Sequence, residues 1–143
     1  SEVLLNYAEA QNEALAAPDQ SVYDAINAIR TRPGTDLPPV AAGLTKDQMR
    51  EVIRHERRVE LVLENKRLFD IWRWKIAMDV MNVKPHCMVI RNSSPDDNSG
   101  VWVYNVEEIT GRFSVFTQKM YFNPIPQAII DRNPKIKQNW GYE

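Results

Sequence analysis

Met49, Val52, Ile53, Glu56, Glu60 and Leu63 recur along one helical stripe. A helix through this segment must therefore present two carboxylates on the same face as its apolar residues. A carboxylate withdrawn from water needs a charged or hydrogen-bonding partner to stay ionised. The same stretch supplies arginines at positions 54, 57, 58, 67 and 73, enough to pair every acid nearby. The expected outcome is a structural ion network, with Arg57, Glu60, Arg67 and Asp70 among its members, stitching this helix to the one that follows.

Helical signals continue on both sides. Leu4, Leu5, Ala8, Gln11 and Leu15 place a helix over Glu2 to Ala16, which Pro18 stops. Asp19 is suited to cap a second helix running to about Thr31, with Val22, Ile26 and Ile29 on one face. The connection is short, so the two form an antiparallel hairpin of tetratricopeptide character. No second copy follows at the roughly 34-residue period of such repeats. A loop from Arg32 to Gly43 leads to Thr45 and Gln48, the spacing of a capping box, with Asp47 in the first turn. The helix they open is expected to end at Asn65 in the left-handed conformation, and a fourth helix, Leu68 to Met81, to carry Phe69, Trp72 and Ile76 on one side.

After Pro85 the pattern changes. His86 to Arg91 and Val101 to Ile109 flank a polar turn, Asn92 to Gly100, and predict a β-hairpin. Trp102, Tyr104 and Val106 share one of its faces, and Val101 and Val103 the other. Arg112 to Tyr121 reads equally as strand or loop. Pro124, Pro126, Pro134 and Gly141 punctuate a tail holding one short helix at Gln127 to Asp131. The fold class expected is mainly α: tetratricopeptide-like helical hairpins of an α-α superhelix, with a small β-hairpin and an irregular C-terminal wrapping segment. One domain is expected over 1–143, helical over 1–81, hairpin and loop over 85–122, and tail over 123–143.

The chemistry-bearing patterns are weak. His55-Glu56 begins like a zinc-protease signature, but position 59 is valine where the second histidine belongs, so no metal is expected. Glu56 and Glu60 are one helical turn apart, yet arginine pairing depresses carboxylate pKa values, the wrong direction for a general acid. His86 and Cys87 are strand neighbours that point to opposite faces, which makes Cys87 a buried structural thiol and not a nucleophile. Asp96 to Gly100 lacks the ligand spacing of a calcium loop. No catalytic residue, cofactor or metal is expected, and no enzyme. A net charge of −1 removes the basic footprint of a nucleic-acid binder. No apolar run exceeds the four residues of Cys87–Ile90, far from the ~18 that span a bilayer. With no leader or lipid-acceptor cysteine at Ser1-Glu2, any secretion or anchoring signal is expected either to have been processed away or to lie outside this sequence. The one remaining candidate for ligand contact is the Trp102–Tyr104 face, if it is exposed enough for sugar rings to stack on it.

Three stretches together resemble the SusD/RagB family. Tyr7-Ala8-Glu9-Ala10-Gln11-Asn12 with Ile26-Asn27-Ala28-Ile29-Arg30-Thr31-Arg32 is similar to that family's last tetratricopeptide-like hairpin. Arg54-x-Glu56-Arg57-Arg58-x-Glu60-Leu61, then Glu64, Arg67, Asp70 and Arg73-Trp74, resembles its most specific signature. Pro124-Ile125-Pro126, then Asn133-Pro134-x-Ile136-x-Gln138-Asn139-x-Gly141-Tyr142, resembles its closing segment. Asn65 stands where the family has glycine, Ile129 where it has glutamate, and Trp140 where it has proline.

The resemblance covers nearly the whole chain and identifies it as the carboxy-terminal portion of such a protein. It implies a surface-exposed, lipid-anchored outer-membrane protein of Bacteroidetes-type bacteria, membrane-bound only through an anchor in a preceding N-terminal part. Such a protein binds an oligosaccharide or another nutrient and delivers it to a SusC-like TonB-dependent transporter, without catalysis. None of the three stretches is a ligand motif; each reads as scaffold. The alternative is a tetratricopeptide-like module that binds another protein, and a hydrolase is the third reading.

Overall fold

The computed structural model describes residues 1–94, 96, 99–111 and 115–143. Pro95, Asp97 and Asn98 of the polar turn, and residues 112–114 of the segment read as strand or loop, lie outside the described residues. The chain divides into two compact units, Ser1–Phe69 and Asp70–Glu143.

The first unit is a helical hairpin followed by a third helix. α1 (Glu2–Ala14) packs against α2 (Gln20–Arg30) and against α3 (Lys46–Glu60). Asp19 caps α2, its carboxylate accepting from the Val22 N–H at 3.3 Å. Thr45 and Gln48 close the capping box of α3 in both directions. The core between the three helices is Ala8, Val22, Ala25, Ile26, Met49 and Ile53, all buried. The alanines let α1 and α2 approach, while the branched and thioether side chains fill the space toward α3. Leu5, Ile29 and Leu61 form a smaller cluster beyond.

Polar side chains fix what the apolar core does not. Asn12 is fully buried and donates to the Lys46 carbonyl at 3.2 Å, tying α1 to the start of α3. Asn27 accepts from the Val40 N–H at 2.8 Å, Tyr23 from the Leu44 N–H at 2.9 Å, and Arg30 donates to the Pro38 carbonyl at 2.7 Å. The long α2–α3 loop thus hydrogen-bonds to one helix along its length, which satisfies backbone groups that would otherwise need water.

α3 ends sooner than the periodicity indicates. Its last residue is Glu60, and a turn over 61–65 follows in which both Leu63 (φ 68) and Asn65 (φ 58) are left-handed. Asn65 adopts the expected conformation, but Leu63 leaves the stripe and is 94% exposed.

α4 (Arg67–Arg73) and α5 (Ala77–Met81) replace the single helix expected over Leu68 to Met81. Lys75 takes φ 56, and the Ile76 N–H reaches back to the Ile71 carbonyl, five residues away. A left-handed residue cannot continue the i to i−4 ladder, so the helix breaks there. The break lets Ile71 and Ala77 join Phe116 in one buried cluster, with Trp72, Ile76, Met120 and Tyr121 around it. Phe69, expected beside Trp72 and Ile76, is exposed instead.

β1 (His86–Asn92) and β2 (Trp102–Glu108) pair antiparallel, with Asn92 opposite Trp102, Ile90 opposite Tyr104 and Met88 opposite Val106. The sheet has these two strands only among the described residues, and most side chains on both faces are exposed. Cys87 is accordingly exposed and not the buried thiol expected, since among the described residues no second layer covers the hairpin.

The rest of this second unit is held by amide side chains. Asn82 pairs with the Phe116 backbone in both directions, at 3.0 and 2.7 Å. Gln138 does the same with Ile125, at 2.7 and 2.9 Å, and Asn139 donates to the Asn123 carbonyl at 2.7 Å. The segment before α6 (Gln127–Arg132) is therefore bound to the chain's end. The architecture is the mainly helical one expected, with a β-hairpin and an irregular wrapping tail.

Thr45→Ala removes an acceptor from the first turn of α3 and is expected to cost about 1 kcal/mol. A urea midpoint measures it, and Thr45→Ser should retain the wild-type value.

Candidate functional site

Glu56 and Glu60 lie on the face that α3 turns toward its neighbours, but their partners come from elsewhere than the arginines beside them. Glu56, 7% exposed, is paired with Arg30 of α2. Glu60 accepts from Arg32, just beyond α2, whose Nη2 lies 3.0 Å from Oε2, and from the Ser1 hydroxyl at 2.6 Å. Arg57, 5% exposed, turns to α1, donating to Asn6 at 2.6 Å and lying 3.8 Å from the Glu9 carboxylate. Nearer the start of α3, Arg50 grips Glu13 with two nitrogens at 2.5 and 2.8 Å. Lys46 donates to the Glu13 and Leu15 carbonyls, covering the open C-terminal end of α1.

Of the other predicted network members, Asp70 is buried and paired with Arg73 at 2.9 Å, one turn along α4. Arg67 is half-buried and engaged at the start of that helix. Sequence reasoning missed Arg30 and Arg32 as the partners of Glu56 and Glu60. Both arginines stand in the quoted hairpin stretch, at the end of a helix with an otherwise apolar face, and that position was the available signal.

The electrostatics of this frame suit a scaffold. Hydrogen bonding to Arg32, and secondarily to Ser1, holds the Glu60 carboxyl below the usual carboxylate range against the opposing effect of burial. Arg50 does the same for Glu13. A general acid at neutral pH needs the opposite shift. His55 is exposed on α3. Among the described residues no three His, Cys, Asp or Glu side chains are grouped to hold a metal ion.

Surfaces able to contact a ligand lie elsewhere. Trp102 and Tyr104 are 48% and 62% exposed on one hairpin face, beside Ile90 and Met88 on the facing strand. In the second unit a cleft of about 440 Å³ is walled by Trp72, Tyr121, Phe122 and Trp140. Trp74 is occupied differently, with the Arg73 guanidinium 4.8 Å above its ring. In the first unit, Val62, Leu63, Leu68 and Phe69 are exposed around a groove beside the 61–65 turn. No helix among the described residues is long and apolar enough to cross a membrane.

Residues 1–142 match the model of the SusD family. A SusD-like protein P2 of Formosa agariphila is 39% identical over 85 residues, which is 56% of this chain and 17% of that protein. Among solved structures, a SusD-like protein from Bacteroides fragilis superposes with a TM-score of 0.77 at 31% identity, over 99% of this chain and 24% of its own. A SusD homologue from Bacteroides thetaiotaomicron superposes with a TM-score of 0.64 at 29% identity, over 99% of this chain and 26% of its own. The chain thus spans about a quarter of the length of these structural relatives.

Because the folded pKa of Glu60 is depressed, its pairing contributes stability that is complete above the unfolded glutamate value of about 4.3 and lost as pH falls through the folded value. Melting temperature should therefore drop below about pH 4.3, and Glu60→Gln should lower stability at pH 7 while flattening that acid limb. Calorimetry across pH reads both.

Proposed function

This chain belongs to the SusD family, and on that premise we propose that it serves a non-catalytic nutrient-binding component of an outer-membrane uptake system. The component takes an oligosaccharide at the cell surface and passes it to a TonB-dependent, SusC-like transporter. The full protein is held at the outer membrane by a lipid anchor. The observation that carries the reading is the family match over residues 1–142, joined to superposition over 99% of the chain on a SusD-like structure.

The geometry is consistent with it. The acids considered for hydrolysis are paired with guanidinium groups inside the helical frame, while exposed aromatic rings are present on the hairpin and along the cleft. Aromatic rings accept the C–H faces of sugars as they accept other apolar surface, with the polar edges left to hydrogen bonds.

A second reading has its own observation. The exposed Val62, Leu63, Leu68 and Phe69 form the kind of apolar patch that marks protein contact. This makes the α3–α4 turn the place where a helical interaction module would meet the transporter.

Isothermal titration against a panel of polysaccharides, run beside a pull-down with the co-encoded transporter, separates the two. The proposal expects saturable binding of at least one glycan and no released sugar on long incubation. Transporter capture without any glycan binding would favour the interaction module, and release of reducing ends would overturn the non-catalytic reading.

A further inference from the structure

The cleft in the second unit combines features that no part of the helical frame shares. Its aromatic walls come from three separate stretches: Trp72 from α4, Tyr121 and Phe122 from the turn after Phe116, and Trp140 from the tail. Two cations, Arg73 and Lys75, line it as well, and no acidic side chain does so among the described residues. Arg73 is already paired with Asp70. Lys75 has no ion-pair partner among the described residues, is exposed, and sits at the left-handed break between α4 and α5.

That backbone conformation is costly for a lysine, and such strain persists only where the surroundings impose it. Here it sets the lysine at the mouth of an aromatic cleft. Trp72 adds a second unmet need, since its indole N–H is buried and has no acceptor among the described residues. A buried donor without an acceptor destabilises the site that holds it. A ligand oxygen entering beside the ring would supply the acceptor after a small tilt of the indole. Trp140, from the tail, adds a further aromatic wall to the cleft.

We propose that this cleft is a binding site for a sugar ring bearing a negative charge, either a carboxylate or a sulfate. The aromatic walls take the apolar face of the ring, and Lys75 meets the anionic substituent. The choice of a sugar rests on the function proposed above, whereas the choice of an anionic one rests on the cleft alone.

The test is titration calorimetry of the protein with three oligosaccharides of matched length: a galacturonate oligomer, a chondroitin sulfate oligomer and a neutral cello-oligosaccharide. At least one acidic ligand should bind about tenfold tighter than the neutral one, and which acidic arm binds identifies the anion. Lys75→Gly removes the charge at a φ of 56 that glycine adopts without strain, so it should fold with an unchanged or raised melting temperature. Binding of the acidic ligand should nonetheless weaken about tenfold in this variant and in Trp140→Ala, while Lys135→Ala, at an exposed lysine outside the cleft, leaves it unchanged. Equal binding of the neutral ligand, or acidic binding indifferent to both cleft variants, would overturn the site while leaving glycan binding by the protein intact. Binding of none of the three also overturns it, and the wider polysaccharide panel then decides the broader function separately.

Discussion

The pairing of Glu56 with Arg30 is the constraint around which the first unit is organised. Glu56 is buried on α3 together with Met49, Ile53 and Arg57. A carboxylate there destabilises the fold unless a cation reaches it, and a guanidinium is suited to the task because its charge is delocalised and weakly hydrated. Arg30 can reach only if α2 lies at one height along α3. The same height lets Arg32 grip Glu60 and Arg30 hold the Pro38 carbonyl. Ion pairs matched at two heights discriminate against a one-turn slide more sharply than apolar contacts do, and so favour the register in which Arg30 and Arg32 meet Glu56 and Glu60.

The hydrogen-bonding residues of the family-like stretches follow the same logic. Asn12, Asn27, Gln138 and Asn139 each bind backbone groups far away in sequence. Their amides offer a donor and an acceptor on one short side chain, which is what a chain needs to fasten an irregular segment with no strand or helix partner. These positions therefore specify the path of loops and tail.

Local signals in the sequence were legible wherever the structure is governed by local rules. Asp19 and Thr45 cap helices as their positions indicate, and the hairpin strands and the short tail helix fall within a residue or two of the reading. Tertiary effects were not legible. Periodicity carried α3 through Leu63 and one helix across Lys75, because neither position holds a glycine or proline to announce a left-handed residue. The partners of Glu56 and Glu60 were expected among the arginines at 54, 57, 58, 67 and 73, whereas Arg30 at the end of α2 and Arg32 just beyond it supply them from 26 and 28 residues away. Cys87 reads as buried only if a second layer covers the hairpin, and strand pattern cannot tell which layers exist. Trp102 and Tyr104 were visible as a shared face, but the cleft was not, since its walls come together from three distant stretches.

The most direct test of the ion-pair frame is a double-mutant cycle on Arg30→Ala and Glu56→Ala, followed by urea denaturation. Each single variant should lose about 3 kcal/mol, since it strands a buried charge. The double variant should lose less than the sum, with a coupling of about 1–3 kcal/mol. Additive losses, or single variants that melt like the wild type, would mean that the apolar core alone sets the register of α2 on α3.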